Sequence, residues 1–288
     1  MSRTSWIPWY GKIAAKLILS RLPAGYNTWR KLNLFAHGAM QEPAYAYGVF
    51  RKHFERSDFS SKEGGFVALE VGPGDSLFSA IVATAHGASG CYLIDAAPFA
   101  TEDLAAYRDL VDYLRLQNLP VPVLDEISDL AGILRSCNAI YGTRGLHSLR
   151  DIPSESVDFI WSQAALEHIR RHEFLDTMRE LHRVLRAGGV CSHRIDLKDH
   201  LAGALNNMRF AARLWEADWM ARSGFYTNRL RHSEMIDVFR QAGFAVEVVA
   251  TSQWDHLPTP RHSMAEEFRR FGDEDLLVKD FDVLLRRT

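Results

Sequence analysis

An α/β fold around a mostly parallel, doubly wound sheet is predicted by three observations. From Gly65 onward short apolar runs alternate with stretches of helical periodicity, the pattern of successive βα units. The first of those runs, over 66–71, ends in a turn holding two glycines and opens onto a helix-like stretch. A hydrophobic content of 47% and a charged content of 24% are those of an ordinary globular chain with a sizeable core, which excludes disordered and collagen-like classes.

Ahead of the sheet, Tyr10, Ile13, Ala14, Leu17 and Ile18 recur at helical spacing, with Lys12, Lys16 and Ser20 on another face. Residues 10–22 therefore read as a basic amphipathic helix, ending near Pro23 and Gly25. Residues 1–41 carry six Lys or Arg and no acid, against a net charge of −2 for the whole chain. Such a helix packs on the main domain or makes peripheral contact with an anionic membrane. An aromatic stretch with Tyr26, Trp29, His37, Tyr47 and Phe50 follows, and a polar segment at 57–65 serves as a linker. The expected division is an N-terminal helical cap over 1–63 and a main domain over 64–288.

Within the main domain the strands fall at 66–71, 90–94, 139–141, 157–162 and 190–195. Phe174, Met178, Leu181 and Leu185 mark the helix between the last two, with Gly188-Gly189 as its stop. Residues 197–232, rich in Arg, Asn and Trp, lack strand alternation and read as an insertion at the sheet's carboxyl edge, either a lid over a polar small molecule or glycan or ordinary helix packing. A helix over 233–242, a strand over 245–250, a helical patch near 264–271 and a strand over 281–285 complete the pattern, the two strands forming a long hairpin.

No apolar run reaches the roughly 20 residues that cross a bilayer, and no secretory leader pattern opens the chain. Cys91, Cys137 and Cys191 stand singly, which points to a reducing, cytoplasmic setting without a cysteine metal knuckle. The charge balance and the lack of a basic stripe in the main domain argue against nucleic acid.

The chemistry concentrates where the first strand ends. Glu70 closes it, Gly72 and Gly74 remove the Cβ atoms that would bar a ligand, and Pro73, Asp75 and Ser76 complete the turn, with Ser76 placed to cap the next helix. The second strand ends in Asp95, placed to grip vicinal ribose hydroxyls. Two strand-end acids beside a glycine turn indicate a nucleoside ligand. A dinucleotide site wants glycine where Leu77 stands, and Glu70 would repel a diphosphate; a ligand with an amine and a sulfonium suits both. A nicotinamide oxidoreductase is thereby disfavoured.

Glu70-Val-Gly-Pro-Gly-Asp-Ser, Ile94-Asp95-Ala96, Ser156-Val-Asp-Phe-Ile-Trp-Ser-Gln-Ala-Ala-Leu-Glu-His168 and Arg183-Val-Leu-Arg-Ala-Gly-Gly189 resemble, in order and spacing, the class I S-adenosylmethionine-dependent methyltransferases over about residues 64–196. The resemblance implies a seven-stranded sheet with an antiparallel final strand and S-adenosylmethionine as cofactor. It further implies that Gly72 and Gly74 lie beside the methionine part, Asp95 on the ribose, Ala96 and the Gly145-Leu146 region around the adenine, and Ser162 with Gln163 under the sulfonium. Ser76 replaces the family's usual third glycine, and Leu146 stands where relatives often place an acid for the adenine amine.

Transfer to an oxygen needs a base, and histidine is suited to that task. His193 and His200, at and beyond the end of the fifth strand, and His168, placed at the start of the fourth crossover helix, are the candidates; each has a structural alternative. His193, Asp196 and His200 could also hold a metal, but no metal is assigned. The layout of cap and lid resembles bacterial methyltransferases acting on sugars or glycan intermediates. Nitrogen or carbon methylation, or a non-catalytic cofactor-binding scaffold, are the alternatives.

Overall fold

The computed structural model describes residues 10, 11, 13, 39–58 and 65–287. Most of the expected basic helix over 10–22 lies outside these residues, as does His37. The first helix, α1 (Pro43–Arg56), is followed by β1 (Phe66–Val71), α2 (Phe78–Ala85), β2 (Ala88–Ile94), α3 (Leu104–Leu116), α4 (Leu130–Ser136), β3 (Ala139–Gly142), α5 (Leu146–Arg150), β4 (Val157–Gln163), α6 (Arg171–Val184) and β5 (Leu185–Asp196). After β5 come two single-turn helices, α7 (Ala212–Trp215) and α8 (Asp218–Ala221), then α9 (His232–Gln241), β6 (Phe244–Gln253) and β7 (Val278–Arg287).

The strands form one seven-stranded sheet in the order β3-β2-β1-β4-β5-β7-β6. β3, β2, β1, β4 and β5 run parallel, and β7 pairs antiparallel with both β5 and β6. The strand order reverses between β1 and β4, so the crevice beyond their carboxyl ends is where such a sheet takes a ligand. All seven expected strands are present, and the two late ones form the expected hairpin.

Helices cover both faces, which is why the central strands are apolar on both sides. One face buries Phe50 of α1, Phe78, Ile81 and Val82 of α2 and Tyr107 and Leu110 of α3 against Phe66, Phe159 and Trp161. Phe50 meets Phe159 and Trp161 edge-on at 6.1 Å and 5.9 Å. Helix α1, which lies within the expected cap, is thus a layer of the sheet's own core. On the other face Phe174, Met178 and Leu181 of α6 and Met235 and Phe239 of α9 pack on Leu69, Ile160, Cys191 and Val283.

Helix α6 ends at Val184, four residues before the predicted glycine stop, and Leu185 already belongs to β5. Gly188, with φ +77, lies within the early, irregularly registered part of that strand. The insertion buries Trp215, Phe225 and Tyr226 in a cluster that also takes Ile13. These three aromatics form a satellite core, while Trp219 of the same insertion is 43% exposed. All three cysteines are buried thiols. Among the described residues no helix is long and apolar enough to cross a membrane.

Candidate active site

At the tip of β1 the backbone turns through Gly72 (φ +75) and Gly74 (φ +67), conformations that favour glycine. The Gly72 N–H donates to the Ile94 carbonyl at 2.8 Å, tying the turn to the end of β2. A Cβ on Gly72 would come 2.5 Å from the Ala165 Cβ, so this glycine admits a neighbouring loop as well as any ligand. Gly72→Ala is expected to destabilise the fold by about 1–3 kcal/mol, combining backbone strain with the clash, and thermal unfolding measures it.

Asp95 bridges the same turn. Its Oδ2 accepts from the Gly74 N–H at 2.9 Å and its Oδ1 from the Ala96 N–H at 2.7 Å. Gly145 donates its N–H to the Asp95 carbonyl at 2.8 Å, which brings half-buried Leu146 and exposed Ala96 to one side of Asp95. Pro73 and Asp75 are buried within the turn, and the Asp75 carbonyl accepts from the Thr101 N–H at 2.9 Å. Ser76 departs from its expected role. Its hydroxyl donates to the Met40 carbonyl at 2.6 Å, holding the residues before α1, while α2 starts after Leu77 with no side-chain cap.

Glu70 is buried, and its Oε2 has no hydrogen-bond partner. Loss of hydration pushes its carboxyl up to about 8; the Ser79 side chain opposes that rise, and nearby Asp95 adds to it. An acid held in this way readily accepts a cationic partner.

The β4 tip and β5 do not arrange themselves as expected. Ser162 and His193 are neighbours in the sheet, both 0% exposed, and the Ser162 Oγ pairs with the His193 Nδ1 at 2.8 Å. His193 shares the α6 and α9 face of β5 with Cys191 and Ile195, and its Nε2 is buried without a partner. Loss of hydration, with His53 adding to it, pushes its pKa down to about 3. His193 is therefore an interior residue and is not on an acceptor crevice, and Ser162 is committed to it. Gln163 points to the opposite face, where its Oε1 accepts from the His53 Nε2 at 3.0 Å. His53 in turn pairs through Nδ1 with the Ser192 Oγ at 2.8 Å, and burial pushes its pKa down to about 4. Nothing in the local pattern of α1 singles out His53, because its partners lie 110 and 139 residues away.

His168 and His200 do come together. His168 closes a 3-10 turn over Leu166–His168, ahead of α6, and its ring meets that of His200 edge-on at 4.7 Å. Both are exposed, and buried Glu167 lies beside them. The insertion anchors this turn: the Asn228 N–H donates to the Glu167 carbonyl at 2.7 Å, and the Asn228 Nδ2 donates to the Leu166 carbonyl at 3.0 Å. Asp196 stays outside the histidine pair; its N–H donates to the Glu167 Oε1 at 3.2 Å, and its carboxylate pairs with Lys198 at 3.0 Å. Glu167 has no signal of its own in the sequence, since only the loop after β5 completes its surroundings.

Residues 69–192 match the family described as a methyltransferase domain. No curated protein matches the chain. Among solved structures, the YcgJ protein of Bacillus subtilis aligns over 85% of this chain and 99% of its own, at 15% identity and a TM-score of 0.44. An S-adenosylmethionine-dependent methyltransferase of Mesorhizobium loti aligns over 77% of this chain and 91% of its own, at 17% identity and a TM-score of 0.41. Another, from Archaeoglobus fulgidus, aligns over 85% and 94%, at 9% identity and a TM-score of 0.45.

Proposed function

We propose, from the match of residues 69–192 to a methyltransferase domain, that the protein moves the methyl group of S-adenosylmethionine to an oxygen of a polar small molecule, with a sugar or glycan unit as the acceptor class. The observation that carries the donor assignment is the buried, unpartnered Oε2 of Glu70 beside a glycine turn whose other flank is Asp95. Such a pair suits a ligand with an ammonium at one end and ribose hydroxyls at the other. A diphosphate would meet the Glu70 carboxyl, and a helix start lined by Leu77 offers it no cradle.

In this reading Glu70 receives the amino group, Asp95 accepts from the ribose hydroxyls, and Ala96 and Leu146 flank the adenine. When bound, S-adenosylmethionine supplies a methyl group already activated by a sulfonium: the S–CH3 bond breaks as the O–CH3 bond forms, and S-adenosylhomocysteine leaves as a neutral thioether. The protein's share is to align the acceptor and exclude water, an effect that can supply about 7–11 kcal/mol of the barrier. The acceptor hydroxyl must also lose its proton. The exposed pair His168 and His200, at the carboxyl edge of the sheet, is where that proton is handled. The choice of an oxygen acceptor follows from this histidine pair, and the sugar or glycan class from the resemblance in layout.

Asp95→Ala is expected to weaken S-adenosylmethionine binding by about 1–3 kcal/mol, because ribose hydroxyls and two backbone N–H groups lose a charged acceptor. Calorimetric titration reads this directly, and unchanged affinity removes Asp95 from the site. The acceptor is identified by incubating the protein and a cell extract with labelled methyl donor and following the label by mass spectrometry. Label in a nitrogen- or carbon-methylated product, or no S-adenosylhomocysteine with any extract, overturns the reading.

A further inference from the structure

Glu167, His168 and His200 each offer a ligand atom, and these atoms all lie within 4.8 Å of one another. The two imidazoles are exposed and the carboxylate beneath them is buried. One Glu167 oxygen accepts from the Asp196 N–H, while Oε2 is buried with no hydrogen-bond partner. A buried carboxylate oxygen without a partner is costly, and a cation between it and the imidazoles supplies one.

The surroundings prepare the two histidines for such a role. The His168 Nδ1–H donates to the Tyr226 carbonyl at 2.9 Å, which puts the lone pair of that ring on Nε2. A backbone carbonyl behind a histidine is a common outer-shell device for fixing the tautomer of a metal ligand. His200 stands in a turn organised by Asp199, whose carboxylate accepts from the Leu201, Ala202 and Asn206 N–H groups at 3.0, 2.6 and 2.6 Å. Two imidazoles and one carboxylate form a donor set suited to zinc, manganese and their first-row neighbours, and the exposed side leaves room for further oxygen ligands.

We propose that Glu167, His168 and His200 bind a divalent transition-metal ion whose open side takes the oxygen of the methyl acceptor. The second half rests on the methyl-transfer reading; the ion site stands without it. With both imidazoles on the ion, the histidine pair acts on the acceptor proton through the metal: a hydroxyl on the ion gives up its proton to solvent more readily. Its oxygen then takes the methyl as the sulfur–carbon bond breaks, so charge and atoms balance without a redox step.

The test uses the full-length chain, stripped with chelator and desalted. Mn2+ is followed by loss of its free electron-paramagnetic-resonance signal and Zn2+ by calorimetry, with no substrate present. About one ion per chain is expected, and Glu167→Gln and His200→Ala should each weaken binding by about tenfold or more. His256→Ala, at an exposed histidine elsewhere, should leave binding unchanged. Circular dichroism confirms that each variant is folded, and Glu167→Gln keeps the side chain's shape should His200→Ala disturb its loop. Absence of saturable binding of either ion, or binding that survives both substitutions, overturns the site. S-adenosylmethionine is titrated separately. Donor binding without ion binding sinks this proposal alone, and ion binding without donor binding keeps the site while sinking its assigned role.

Discussion

Glu70→Gln is expected to match the wild type in stability near pH 4.5 and to exceed it by roughly 5 kcal/mol once the pH passes about 8. The folded carboxyl titrates above its unfolded counterpart, so it stays protonated in the fold while the unfolded chain ionises. Its stabilising contribution is whole at low pH and disappears as pH rises through about 8. Urea midpoints across that range check the prediction, and parallel profiles for the two proteins contradict it. An ammonium group brought beside Glu70 should restore its ionised form. Binding of S-adenosylmethionine at pH 7 should accordingly release about one more proton from the wild type than from the variant. Calorimetry in buffers of differing ionisation enthalpy measures that number.

The second large effect runs the other way with pH. His193 is buried and neutral, with a folded pKa pushed down to about 3. As acid is added, protons enter the unfolded chain from pH 6.5 downward while the folded ring stays neutral, so stability is lost. Relative to His193→Gln, the wild type should lose roughly 3 kcal/mol between pH 6.5 and pH 4. His53, held near 4 by burial, should behave in the same way when replaced by glutamine. Denaturant titrations at several pH values would show a constant difference if these rings were wet. His193→Gln should also retain methyl transfer, because an interior ring cannot reach an acceptor.

The seven strands were legible because each is a short apolar run bounded by turn residues, and the glycine turn because Glu70, the two glycines and Asp95 lie at the ends of adjacent strands. What the sequence did not disclose depends on which face of a doubly covered sheet a residue meets. Alternation correctly puts His193 with Ile195, but both faces of a parallel sheet are dry, and alternation does not say which one leads to the crevice. Ser76 looked like a cap because the residue bonded to its hydroxyl lies 36 positions away. The Glu167, His168 and His200 cluster needed the insertion to fold back through Asn228 and Tyr226, a contact that spans some 60 residues. Gly188-Gly189 misplaced the end of α6 because a glycine pair breaks a helix and loosens a strand equally well.

The position of β7 also governs how the chain is made. Of the seven strands it is the last to leave the ribosome, yet it lies between β5 and β6. Until it emerges, β6 has no neighbour to zip against and β5 presents a bare hydrophobic margin. At a synthesis rate of about 5–20 residues per second, the nascent polypeptide spends seconds with that margin uncovered. Holdase chaperones should engage it in this window, and ribosome-stalled chains halted before residue 278 should be far more protease-sensitive than released protein.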